Sequence, residues 1–431
     1  MPDGGKPGDA GKAGERMRIQ VPMDKVKRAG DLSQLAEKVY YLSVDIKHVS
    51  WDAGGMNIEY TGADGEELLL RLDALCDALA AGRKLPYKRL RDNRSPRRPK
   101  LREESAEPLY AGSPVLQGAQ VLLEQAVVRL LRTRADAAGA VLRKYPALMP
   151  EEVIRKSGYL RNFPQNVYAV SEFRHQFDTL EGVRSSLSAG EPLGSLMQPS
   201  GAYMQPCVCY HVYEECSRDG LAQTYLDSEA GAAGCESEAA GNSGRETDER
   251  MPGLEPDLER ESVSEPYPFR LFSAYGTCYR HEHDSRISES RLREFGMFEL
   301  VYIGAAEAVK QMRADLLEDT WALFGALGLQ GYVESASDPF FLPEDGDRRM
   351  YQLAAESKFE LRCSTAGGDD FAVTSFNVCG DVLCRAFGIA GNSSYPHSGC
   401  TAFGVDRWVQ AILDAWGPDP AGWPALIRGH L

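Results

Sequence analysis

From Pro266 to Gly304 the chain reads "PYPFRLFSAYGTCYRHEHDSRISESRLREFGMFELVYIG". Apolar, aromatic-rich halves flank a polar centre, the pattern of two antiparallel strands joined by a loop. The core of the pattern is R-x-E (Arg280, His281, Glu282), then F-x-x-x-E from Phe295 to Glu299. On a strand, an Arg and a Glu two positions apart face the same side. That would place a phosphate-binding fork and a carboxylate in one cavity. Phe295 offers a flat face for a nucleobase. A surface hairpin with paired charges would use the same residues.

The rest of the chain supplies context for this pair. At 431 residues it exceeds what one core normally spans, which implies two domains. Residues 1–17 are rich in Gly, Pro and charge and are expected to be a disordered tail. Residues 18–103 read as a small α+β module. It has strand signals in "VYYLSVDIKHVSW" and "GMNIEYTG", a turn at "DAGG", and a helix in "DGEELLLRLDALCDALAAG". Ten of the residues 83–102 are Lys or Arg. This arm reads as a solvated basic tether, or as a docking surface for an acidic partner. A long amphipathic helix is expected from near Ser113, opening a second domain over 113–431. Residues 228–265 are acidic and poor in large apolar residues, and read as a disordered insertion that carries Cys235.

Composition narrows the class. The formal net charge is −15 and the pI about 5.1, so the whole chain is no generic nucleic-acid binder. Ten cysteines are too dilute for a disulfide scaffold, and without a leader-like apolar run they read as reduced cytoplasmic thiols. No stretch approaches 18 apolar residues, so no membrane span is expected.

Three cysteines and a histidine crowd "PCVCYHVYEEC", residues 206–216. The spacing is C-x-C rather than C-x-x-C, and no second pair follows nearby. If this were a strand, Cys207 and Cys209 would share one face, as would His211. Near the end, "HSGCTAFGVDRWVQAILDAWG" runs from a small-residue turn, Ala402-Phe403-Gly404, into an amphipathic helix with Arg407 near its start. Small residues admit a ligand to the backbone, and a cation there suits phosphate.

Together these stretches resemble a class II aminoacyl-tRNA synthetase core: "SGYLRNFPQNVY" with Pro164 as its first motif, R-x-E with F-x-x-x-E as its second, and A-F-G-x-D-R as its third. Ala402 and Asp406 replace a usual Gly and Glu. Within that class, "VCYHVY", "RLREFGMFELV", "SFNVCGD", "GCTAFGVDRW" and "GPDPAGWP" resemble the atypical zinc-dependent seryl-tRNA synthetases and their shortened relatives, the amino acid:[carrier protein] ligases. The resemblance implies an α+β fold, with an antiparallel sheet flanked by helices. It implies Zn2+ on Cys209, Glu299 and Cys400, with Cys207 as the rival first ligand. Three protein ligands would leave zinc an open position for the substrate amine.

The resemblance also implies roles around ATP and Mg2+. Arg280 would hold the α-phosphate, Glu282 the adenine side, Phe295 the adenine face and Arg407 the γ-phosphate end. Glu360 would replace a magnesium-binding Glu absent at Ala372. Ser375 and Asn377 would line the amino-acid pocket. The remaining cysteines, Cys76, Cys216, Cys278, Cys363, Cys379 and Cys384, are assigned to packing. The implied activity is ATP-dependent formation of an aminoacyl-adenylate from glycine, alanine or serine. The acyl group would pass to the phosphopantetheine thiol of an acidic carrier protein. The alternatives are tRNA, or a small-molecule acceptor in natural-product biosynthesis. A homodimer through the region around Pro164 is implied as well.

Overall fold

The structure is a computed structural model that describes residues 16–30, 32–81, 86–95, 110–219, 267–338, 346–365, 370–391 and 394–431. The expected tail before residue 16, the ends of the basic arm and the acidic insertion with Cys235 lie outside the described residues.

The N-terminal module has its own small sheet, β1 (Met17–Pro22), β2 (Ile46–Asp52) and β3 (Gly55–Tyr60), in the order β1-β3-β2. The β2–β3 turn is an Asx turn in which the Asp52 carboxylate accepts the Gly54 and Gly55 N–H groups. The helix Gly65–Ala81 lays Leu68, Leu72 and Cys76 onto this sheet, where Leu35, Val39, Met56 and Ile58 are fully buried. The strand expected across "VYYLSVDIKHVSW" is shorter than that segment. Val39–Tyr41 is a 3-10 turn, and the strand begins only at Ile46.

The large sheet has eight strands. Their order is β4 (Arg89–Asp92), β11 (Gly331–Ser335), β12 (Lys358–Ser364), β13 (Asp370–Gly380), β14 (His397–Gly404), β10 (Glu294–Gly304), β9 (Arg270–Tyr279) and β5 (Val141–Arg143). Every pairing is antiparallel except β5 with β9. A third sheet, β6 (Leu148–Pro150), β8 (Met197–Met204) and β7 (Ala169–Phe173), lies beside it in the chain.

One face of the large sheet is core. Phe298, Leu300, Tyr302, Leu361, Phe376 and Phe403 meet the helices Ala119–Ala137, Ala306–Ala326 and Val405–Trp416. Burying each such side chain contributes about 1.5–3 kcal/mol. The first of these helices starts at Ala119 rather than near Ser113, because Gly118 at φ 48° cannot continue a helix backwards.

The basic arm is more than a tether where it is described. Residues 89–92 form the edge strand β4 on β11, and the Arg89 and Arg94 guanidiniums lie 3.6 and 4.5 Å from the Tyr332 ring centroid. Arg89 pairs with Glu334, Arg91 with Glu318 and Arg94 with Asp92. Among the described residues, these arm cations are therefore spent within the fold.

Candidate active site

Register decides which side chains share the open face of the sheet. Glu360 lies opposite Ser375, Ser375 opposite Ala402, and Ala402 opposite Glu299. One step along the strands, Lys358 lies opposite Asn377, Asn377 opposite Cys400, and Cys400 opposite Val301. Residues directly opposite share a face, and alternate residues do too, so both rows face the same way. They floor a cleft of about 1890 Å³, lined also by Arg280, Glu282, Phe295, Arg407, Cys207 and Cys209.

One end of the cleft is cationic. The Arg280 guanidinium lies 5.2 Å from the Phe295 ring centroid, and its Nε donates to the Pro206 carbonyl at 3.1 Å. Arg407 donates to the carbonyls of Ser290 (2.7 Å) and Ala372 (2.8 Å). Burial pushes the Arg407 pKa down to about 10, opposed by Glu360 and reinforced by Arg280, Arg291 and Arg362. Convergent guanidiniums of this kind are an anion site awaiting charge. Glu282 is buried and holds Arg291 at 2.9 Å, while its own carbonyl accepts from Arg293. Asp406 accepts the Gly296 N–H at 2.6 Å, which ties the start of the helix Val405–Trp416 to the residue after Phe295.

The other end collects thiols. The ligand atoms of Cys207, Cys209 and Glu299 lie within 4.8 Å of one another, and all three residues are buried. Cys207 and Cys209 are 3.3 Å apart at sulfur. The Cys209 thiol is held well above its usual range by hydrogen bonds with Cys207 and Cys400 and by burial. Burial pushes the Glu299 carboxyl up to about 7, and its Oε2 is buried without a hydrogen-bond partner. Cys400 stands outside the tight trio but accepts from the Asn377 amide at 3.4 Å. A buried S, S, O donor set with an orphaned carboxylate oxygen fits a zinc ion. Asn377 supplies the kind of supporting hydrogen bond that holds a ligand thiolate in place.

Between the two ends, Asn377 donates to Ser375 (3.2 Å), and Glu360 sits between Lys358 (3.4 Å) and Arg362 (3.3 Å). Lys358 also pairs with Asp338 at 2.7 Å, and Gln352 donates to the same carboxylate. Burial opposes both charges, yet Lys358 keeps Asp338 below its usual range, while Asp338 and Glu360 keep Lys358 above its own. Among the described residues no second group of three metal-ligating side chains gathers. Magnesium commonly takes one or two carboxylates and fills its shell with phosphate and water, so Glu360 alone would suffice on the protein side.

The expected site residues thus line one cleft, though several reach it differently from the sequence reading. Arg280 and Glu282 lie beyond the end of β9, in the loop, and not on a strand. Alternation does not bring them together. Backbone turns do, through Arg280 N–H to Arg293 O and Glu282 N–H to Arg280 O. The stretch after Cys207 is a helix over 209–219 rather than a strand, so Cys207 and Cys209 meet across a turn. His211 packs away from them, its ring stacked on Tyr145. Cys379 is half-buried and lines the cleft, whereas the other cysteines assigned to packing are buried. Arg291, Arg362, Lys358, Asp338 and Gln352 were not anticipated. Arg291 alone carried a signal, as the first of two arginines in "SRLREF".

Comparison with known proteins follows the same lines. A sequence model of the tRNA synthetase class II core domain (G, H, P, S and T) matches residues 257–416. Amino acid–[acyl-carrier-protein] ligase 1 of Bradyrhizobium diazoefficiens is 27% identical over 325 residues, covering 74% of this chain and 86% of the relative. The type-2 serine–tRNA ligase of Methanococcus aeolicus is 26% identical over 298 residues. That match covers 67% of this chain but only 49% of the relative. Among solved structures, M. kandleri SerRS in complex with A. aeolicus tRNASec matches with a TM-score of 0.62 at 20% identity, over 89% of this chain and 73% of that one. The antiparallel sheet, its flanking helices and the matched sequence agree: residues 257–416 carry a class II tRNA synthetase core domain, and the chain is similar to amino acid-activating ligases with that core.

Proposed function

We propose that this protein activates a small amino acid with ATP and passes it to the phosphopantetheine thiol of a carrier protein. The observation that carries the reading is the single cleft with arginines and Phe295 at one end and the Cys–Glu group at the other. A nucleotide and an amino acid fit it end to end.

In this reading Phe295 stacks the adenine, Glu282 borders it, and Arg407 holds the γ-phosphate end against the ring's other face. Arg280 binds the α-phosphate and stabilises the charge that gathers there as the substrate carboxylate oxygen attacks phosphorus. Pyrophosphate leaves and an aminoacyl-adenylate remains. The acceptor thiol then attacks the acyl carbon, its proton is lost, and AMP leaves. Glu360 would hold a magnesium ion, which would neutralise charge on the phosphates. Cys209 and Glu299 would hold a zinc ion with Cys400 or Cys207. Bound there, zinc would take the amine of the substrate and keep it from reacting as a nucleophile. Ser375 and Asn377 border the position where the side chain would lie, and Lys358 and Asp338 close the wall beside them. A polar, shallow end of this kind suits glycine, alanine or serine.

The carrier-protein acceptor is supported by the extent of the match. The chain spans 86% of the acyl-carrier-protein ligase but 49% of the serine–tRNA ligase. The described arginines of the basic arm are paired internally, which removes one argument for tRNA. We read the assembly as a homodimer. The support is the helix Phe177–Ala189, which exposes Phe177, Leu180 and Leu187 in the segment after Pro164.

ATP–pyrophosphate exchange with each of the twenty amino acids tests the first half. Exchange with one or more small amino acids is expected, and none with any would overturn it. Transfer of the labelled amino acid to a holo carrier protein, and not to bulk tRNA, tests the second half. Labelling of tRNA alone would establish the other acceptor.

A further inference from the structure

The loop between β9 and β10 is held from two sides. From the catalytic side, Arg407 donates to Ser290 O, His281 N–H to Asn166 O and Arg293 N–H to Gly112 O. The tip of the loop meets the N-terminal module instead. Glu37 lies 3.5 Å from Arg286 and 3.9 Å from Arg291, and the Tyr40 ring lies 4.6 Å from that of His283. Glu37 itself lines the cleft, together with Arg280, Arg286, Arg291, Arg362 and Arg407.

The module presents Glu37 from a firm base. Leu35 and Val39, two residues to either side, are fully buried in its core, and the Tyr40 hydroxyl accepts the Val49 N–H at 2.9 Å. The Arg286 side chain is only 7% exposed, so its charge is largely removed from water. Guanidiniums gathered in one cleft repel one another until an anion arrives. A carboxylate reaching two of them from outside the catalytic domain keeps the loop arginines side by side.

We propose that the N-terminal module forms part of the wall of the ATP site, with Glu37 as the positioning residue for Arg286 and Arg291. The inference rests on the ATP reading above. It assigns the module a role in nucleotide binding; among the described residues Glu37 is its contribution to the cleft lining. Glu37 acts through the loop and does not contact substrate.

The test uses the full chain with Glu37→Gln and Glu37→Lys. Two measurements are made: hydrogen exchange of the amides at 283–292, and the KM values for ATP and amino acid in pyrophosphate exchange. In Glu37→Gln the loop amides should exchange faster. KM for ATP should rise about fivefold, the change expected for losing one ion pair whose carboxylate is still open to water. KM for the amino acid should stay unchanged. Glu37→Lys should show both effects more strongly, with an unfolding midpoint near that of the parent. Unchanged loop exchange in both variants would overturn the proposal. So would a lower KM for ATP, which would make Glu37 a competitor of the phosphates. If the parent chain supports no pyrophosphate exchange at all, the ATP reading fails separately, and loop exchange alone still decides whether Glu37 positions the loop.

Discussion

At the scale of single residues, the site is a problem of buried charge. Cys207, Cys209, Glu299 and Cys400 are four candidate donors for a metal that needs three from the protein. The Asn377 amide donates to the Cys400 sulfur and orients it toward the cleft, whereas Cys207 accepts from the Cys209 thiol. Cys209→Ala and Cys400→Ala should therefore lose zinc, measured by elemental analysis of the purified protein, while Cys207→Ala keeps it. Retention in Cys400→Ala with loss in Cys207→Ala would move the site to the C-x-C pair.

Asp406 poses a second problem of the same kind. Burial raises its carboxyl to about 6 from an ordinary value near 3.8, despite the bond from Gly296. Between those two pH values the folded chain binds the proton more tightly than the unfolded one, so stability falls as pH rises through the window. Above it, a neutral side chain that still accepts the Gly296 N–H is better. Asp406→Asn should be more stable than the parent at pH 8, by about 1–2 kcal/mol, and level with it at pH 4. Urea unfolding at both pH values checks this. The sequence had shown an Asp where a Glu was expected, but not that its carboxylate reaches back to β10.

At the scale of elements, the sheet works because its strands can lie close. Gly399 on β14 shows how. A Cβ there would come within 2.3 Å of the Tyr302 ring and 2.5 Å of the Asn377 carbonyl. The missing side chain lets Tyr302 lie across β14 and donate to Asn377 O at 3.2 Å. Gly399→Ala should force Tyr302 and β13 aside, costing about 1–3 kcal/mol in chemical denaturation. It should also weaken the amino-acid end, since Asn377 and Cys400 flank the displaced backbone. Strand positions and the period-2 alternation were legible in "FRLFSAYGTCY" and "EFGMFELVYIG". The bulges that shift register between Leu361 and Arg362, and between Val378 and Gly380, left no mark that alternation could read.

At the scale of the whole molecule, exposed apolar surface asks for a partner. Phe177 is 84% exposed, Leu187 64% and Leu180 54%, all on one helix of the segment that follows Pro164. Leu148 and Met197 of the third sheet are exposed as well. Exposed apolar residues of this kind support the homodimer proposed above. Phe177→Glu with Leu187→Glu should convert a dimer to a monomer in sedimentation velocity without lowering the unfolding midpoint. No helix among the described residues is long and apolar enough to cross a membrane.

The sequence by itself determined the sheet-forming segments, the helix Val405–Trp416 and the residue types that phosphate, base and soft metal require. Those follow from local pattern and side-chain chemistry, which the chain carries wherever it goes. Tertiary structure alone decided that Cys207 and Cys209 meet at the start of a helix and not along a strand, and that Glu282 holds Arg291. It alone placed Lys358 opposite Asn377, made the basic arm an edge strand, and brought Glu37 to the arginines of a loop some 250 residues later. Each of these depends on pairing between segments far apart in the chain, whose register is set by the packing of whole faces.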